Sequence, residues 1–112
     1  MPIQNPDYRE IDHEEIAKAI GLKVKHVPML IGSFLEESSP IIDTMYNYLQ
    51  ANDYESLRSA AHSVKGSAGN LRFAEVSQMA KELEHAASNQ DATFEYSAYI
   101  DAMKKALSTI SL

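Results

Sequence analysis

The sequence predicts an all-α chain: an antiparallel, up-down-up-down four-helix bundle with a short additional N-terminal helix. Three observations carry this prediction. Apolar residues recur at spacings of three and four along four long segments. The connections between those segments are short. No window shows the period-two alternation of a half-buried strand. Residues 1–112 read as a single domain with one core, since 112 residues do not support a second.

Residues 1–10 carry two prolines and no periodicity, and read as a loosely ordered arm. Asp12-His13-Glu14-Glu15 then opens the short helix. Asp12 caps it, and Glu15 stands at the capping-box spacing, with Asp in place of Ser or Thr. Ile11, Ile16 and Ile20 are its apolar positions, and Gly21 ends it. The acidic first turn around His13 complements the helix dipole, a plainer reading than a metal site.

The next segment spans about Lys25 to Ala51, with Pro28 in a first turn where its missing N–H costs nothing. Val27, Leu30, Ile31, Phe34, Ile41, Met45, Tyr48 and Leu49 keep helical spacing. Pro40 interrupts it, and because the apolar phase continues across the break, one kinked helix is expected. Asn52 or Asp53 caps a helix over about Asp53 to Gly69, with the stripe Leu57, Ala61, Val64, Ala68 and Leu71. Asn70-Leu71-Arg72 is the connection. The fourth segment, about Phe73 to Asn89, has Phe73, Val76, Ala80, Leu83 and Ala87. The last, about Ala92 to Ser108, shows Tyr96, Ile100, Met103 and Leu107, with Ile110 beyond.

Charge and composition narrow the function. The net charge of −6 argues against nucleic acid, which needs a basic footprint, and against an anionic membrane surface. No cysteine is present, which removes disulfides, thiolate chemistry and cysteine-based zinc sites. No His-Glu-x-x-His pattern or Gly-rich loop after a strand occurs, so neither a metal nor a nucleotide cofactor is expected. No apolar run spans a membrane and no export signal is visible, so a cytoplasmic location is expected. The Met1 start and the end just past the last helix favour a free-standing protein over a domain cut from a larger kinase.

One stretch does not fit plain helix formation: Ala61-His62-Ser63-Val64-Lys65-Gly66-Ser67-Ala68-Gly69. A glycine inside a helix costs about 0.5–1 kcal/mol relative to alanine. Measured from the core stripe at 100° per residue, Lys65 lies at about 80°, Arg58 at about 100°, Gly69 at about 120°, His62 at about 140° and Gly66 at about 180°. His62 therefore faces outward with Lys65 beside it at i+3 and bare backbone at Gly66. Ser59, Ser63 and Ser67 continue a small, smooth surface. A lone exposed histidine ordinarily has no role. A mid-helix exposed glycine points to close approach by another molecule, whereas Gly69 also suits a helix end.

The chemistry fits a phosphoryl carrier. Neutral imidazole is a competent nucleophile near pH 7, and a nearby ammonium stabilises the added charge. The nitrogen not attacked needs an acceptor that fixes the tautomer. With the connection centred near Leu71, antiparallel packing brings about Lys81 to Glu84 alongside His62, and Glu84 sits at the edge of its helix's core stripe.

His62-Ser63-Val64-Lys65-Gly66 resembles the His-x-x-Lys-Gly signature of histidine-containing phosphotransfer domains, which are four-helix bundles of two-component phosphorelays. Ala61-His62-Ser63-Val64-Lys65-Gly66 with Ala68-Gly69 is most similar to the domain that begins chemotaxis histidine kinases. The resemblance implies phosphorylation of His62 at Nε2, Lys65 against the phosphoryl group, and Glu84 accepting from Nδ1–H. It implies that Gly66 leaves room for a docking response-regulator receiver domain, and the face expected to dock it comprises Arg58, Ser59, Ser63, Gly66, Ser67 and Gly69. The kinase and the receiver are the expected partners of a monomeric phosphocarrier without kinase activity of its own. Mg²⁺ is expected on the receiver. Many members carry glycine three residues after the position of Gly69, where this chain has Arg72. The competing reading is a helical adaptor that binds a signalling partner without transfer.

Overall fold

A computed structural model describes residues 3–110; Met1, Pro2, Ser111 and Leu112, at the ends of the expected domain and arm, lie outside the described residues. The elements are α1 (His13–Ile20), a 3-10 turn (Val24–His26), α2 (Val27–Gln50), α3 (Tyr54–Asn70), α4 (Ala74–Ser88) and α5 (Tyr96–Ser108). Among the described residues no strand occurs.

Local chemistry starts and stops these helices. The Asp12 carboxylate accepts from the N–H groups of Glu14 and Glu15 at 3.0 and 3.2 Å. Of the two candidate caps for α3, Asp53 takes the role and accepts from Ser56 N–H at 3.1 Å. Its neighbour Asn52 instead adopts a left-handed φ of 54°. Three helices end in the same Schellman pattern of 6→1 and 5→2 hydrogen bonds. Asp53 N–H reaches Tyr48 O and Asn52 N–H reaches Leu49 O. Phe73 and Arg72 repeat this on Ala68 and Gly69, and Asp91 and Gln90 repeat it on Ala86 and Ala87. The left-handed residues are Asn52, Arg72 and Gln90; only α1 uses a glycine, Gly21.

α2 packs on α3 and α5, α4 packs on the same two, and α1 lies on α2. Between the four longer helices lie Ile31, Ile42, Met45, Leu57, Val64, Leu83, Ile100 and Met103, each almost wholly buried. Each such side chain contributes about 1.5–3 kcal/mol by leaving water. The predicted stripes of α3 and α4 are buried throughout, while Met79, Tyr99 and Ala106 belong to the core without having been in a predicted stripe.

The single helix expected across Pro40 is observed, whereas the start of α5 differs from expectation. α2 runs unbroken through Pro40, so the proline is accommodated inside one helix, where it lies exposed. α5 begins at Tyr96, four residues later than the pattern suggested. The Asp91 carboxylate accepts from Thr93 N–H at 2.9 Å and from its hydroxyl, which forms a local turn that competes with helix. Phe94 then folds back on Tyr99, with ring centroids 4.5 Å apart. In the N-terminal stretch, Tyr8 N–H donates to Thr109 Oγ1 and its hydroxyl to Glu75 Oε1, and its ring meets Phe73 edge-on.

Candidate functional site

His62 lies mid-way along α3 with 64% of its side chain exposed. Its Nδ1 stands 2.8 Å from Glu84 Oε2 on α4. The other carboxylate oxygen, Oε1, is 2.8 Å from Lys65 Nζ. One carboxylate thus serves two partners that stand three residues apart on the facing helix, the spacing at which α-helical side chains share a face.

Burial alone pushes the Glu84 carboxyl up, but hydrogen bonds from Lys65 and His62, and the charges behind them, outweigh it and hold the group below its usual range. An ionised carboxylate only accepts, so Nδ1 of His62 is the donor. In the neutral ring Nε2 then carries the lone pair, on the side turned to solvent. The arrangement makes an exposed nucleophilic nitrogen with a fixed tautomer and an ammonium one turn away.

The remaining face is polar and low in relief. Ser59, Ser63 and Gly66 are exposed, while Arg58, Ser67 and Gly69 are half-buried. Arg58 is tied along its own helix to Glu55 Oε1 at 2.8 Å. A methyl group added at Gly66 would meet no heavy atom within 4 Å, so the glycine leaves open surface rather than packing.

Gly69 differs. α3 continues past it to Asn70, and the left-handed position after the helix belongs to Arg72, with a φ of 67°. Gly69 is therefore not the helix-ending residue. A Cβ placed on it would stand 3.2 Å from Ser77 Oγ of α4, so it marks a close helix–helix approach. The Ser77 hydroxyl donates to the Lys65 carbonyl at 2.9 Å. Sequence reading missed Ser77, although its spacing before Glu84 matches that of Gly69 after His62. Arg72 itself adopts the left-handed conformation at this turn.

Among the described residues no group of three or more His, Asp or Glu side chains is placed to hold a metal ion. No helix among them is long and apolar enough to cross a membrane.

A family model described as Hpt domain matches residues 29–110. Among solved structures, the chain is similar to histidine-containing phosphotransfer protein B (HptB) from Pseudomonas aeruginosa PAO1. Identity is 27%, covering 87% of this chain and 84% of that chain, with a TM-score of 0.75. No curated protein sequence matches.

Proposed function

Because the chain belongs to the Hpt domain family, we propose that His62 is the residue on which it carries the phosphoryl group. Its function is histidine phosphotransfer in two-component signalling. The observation that carries the assignment to His62 is the 2.8 Å contact of Nδ1 with Glu84 beneath an exposed ring.

In the proposed step the Nε2 lone pair attacks the phosphorus of a receiver's aspartyl phosphate. An N–P bond forms, the acyl P–O bond breaks, and the electron pair leaves on the aspartate carboxylate. No proton has to move, because Nδ1–H stays on Glu84 throughout. Lys65 leaves Glu84 Oε1 to pair with the incoming phosphoryl oxygens, a charge-assisted contact stronger than a neutral hydrogen bond. The second transfer, to another receiver, reverses these bonds. Gly66 and the serines around it give the receiver room, and the receiver brings the Mg²⁺ the transfer needs.

The whole of residues 1–112 acts as one domain, a monomeric cytoplasmic carrier without kinase activity. Its four longer helices form the antiparallel up-down-up-down bundle, with α1 as the additional helix. The closed set of helix contacts and the short connections support this.

Incubation with a phosphorylated receiver domain tests the assignment. Wild type acquires a phosphate that is labile in acid and stable in base. His62→Gln acquires none; labelling of that variant as strong as wild type ends the proposal, whereas a wild type that binds the receiver and is never labelled supports the adaptor reading.

A further inference from the structure

The contact between Gly69 and Ser77 lies beyond reach of a group bound at His62, yet it is aligned with the site. Gly69 stands seven residues after His62 on α3, and Ser77 stands seven before Glu84 on α4. Seven residues are two turns less about 20°, an advance of about 10.5 Å. His62 with Glu84 and Gly69 with Ser77 are therefore successive rungs of one stripe where the two helices face each other in opposite directions. A third tie falls between them, the 2.9 Å bond from Ser77 Oγ to Lys65 O.

The upper rung has little tolerance. Both Glu84 oxygens sit 2.8 Å from their partners at the same time. Hydrogen bonds of this kind weaken beyond about 3.2 Å, so a shift of about half an ångström between the helices strains the contact of Nδ1 with Glu84, while the flexible Lys65 stem can follow. The lower rung lies on the same seam and leaves little room at the backbone. It has no side chain on one strand of the contact and a hydroxyl on the other, and any Cβ at Gly69 presses on Ser77 Oγ.

We infer that Gly69 and Ser77 are positioning residues: their contact sets the register and spacing of α3 and α4 at which Glu84 engages Nδ1 of His62 and Nζ of Lys65 together. This rests on His62 being the phosphoryl-carrying residue only for its consequence in transfer. The geometric part concerns the imidazole alone.

The structure supplies its own compensating change. Replacing Gly69 by Ala puts Cβ 3.2 Å from Ser77 Oγ, but Ser77 Cβ lies 4.0 Å away, an ordinary contact. Gly69→Ala/Ser77→Ala therefore fits at the native spacing, although it gives up the bond to Lys65 O. Gly69→Val does not fit, and valine restricts the rotamers available to relieve it.

The test reads two signals on the full chain. One is the nitrogen NMR spectrum of the His62 ring, which reports the tautomer and its titration. The other is the rate of phosphoryl uptake from a phosphorylated receiver. Gly69→Val is expected to move the ring away from the Nδ1–H tautomer and slow uptake about 10–100-fold, the scale of a displacement near 1 Å. Gly69→Ala should show an intermediate shift. Gly69→Ala/Ser77→Ala should recover the native ring signal and a rate within about threefold of wild type. A native ring spectrum in Gly69→Val overturns the inference; if that variant does not fold, an unchanged ring in Gly69→Ala does so. Failure of the double variant to recover the ring signal also overturns it. A wild-type chain that never takes up phosphate would refute the role of His62 instead, while the ring spectra still decide the spacing claim.

Discussion

The α3–α4 seam and the α2–α5 seam use the same chemistry and obtain different things from it. On the α2–α5 side, Lys104 Nζ pairs with Asp43 at 3.0 Å and lies 5.8 Å from the Tyr46 ring centre. The Tyr46 hydroxyl donates to Asp101. Lys104 and Asp43 are 60% and 56% exposed, and each carboxylate there has a single partner across the seam. Such pairs are screened and typically contribute less than about 1 kcal/mol. On the α3–α4 side the carboxylate is 18% exposed and divides its two oxygens between a histidine and a lysine. The difference teaches that a cation beside a carboxylate is not by itself a site. Glu84 differs because it is shielded and engaged by two partners at once.

Removing one carboxyl charge on each side separates the seams most strongly. Glu84→Gln is expected to slow phosphoryl uptake about 10–100-fold, the range lost with a misplaced reacting group. Asp101→Asn should leave uptake unchanged. Equal losses in a rapid-quench comparison would erase the distinction.

Gly66 sharpens it from the partner's side. With open space above it, Gly66→Arg should fold normally, while uptake from a receiver falls at least about tenfold, or about 1.4 kcal/mol of docking. Gly66→Ala should raise stability by about 0.5–1 kcal/mol in denaturant unfolding, since it replaces an exposed helical glycine. A loss of stability in either variant would mean that the glycine packs against something.

The seams should also fail at opposite ends of the pH scale. Glu84 is held below its ordinary 4.5, so what its ionised form contributes is present above that value. That contribution disappears as pH falls through the lower folded value, and Glu84→Gln should flatten this acid limb of an unfolding-versus-pH curve. Burial, helped by Asp101, pushes the Tyr46 phenol up from 10.0 to about 12. Its contribution is complete below 10.0 and lost as pH rises toward 12. Ultraviolet titration of Tyr46→Phe should lack this late-ionising phenol.

The smallest effect belongs to the turn that joins the site helices. Arg72 holds a left-handed φ of 67°, which costs a non-glycine residue about 1–2 kcal/mol. Part of any gain in Arg72→Gly is offset by the greater freedom of unfolded glycine. A net rise of about 0.5 kcal/mol is expected from thermal or denaturant unfolding.

Helix identity, the α3 and α4 stripes and the outward phase of His62, Lys65 and Gly66 were legible because they are local. A 3.6-residue period and a cap are written within a few consecutive residues, and no distant partner is needed to read them. The α5 start was misplaced because the Asp91–Thr93 turn competes locally with helix, and the four-residue spacing does not register that competition. The left-handed turn at Arg72 was hidden because arginine carries no turn signal; the 6→1 bond from Phe73 to Ala68 imposes it.

What only the tertiary structure decided lies between helices. Glu84 was within reach of His62 on sequence grounds, but the sharing of its oxygens with Lys65 was not visible. Nor was the role of Gly69, which stands against Ser77 inside a helix instead of ending one. The physical reason is that periodicity specifies which way a side chain points from its own axis. The distance between two axes depends on the side chains that lie between them, and here a glycine stands against a serine hydroxyl.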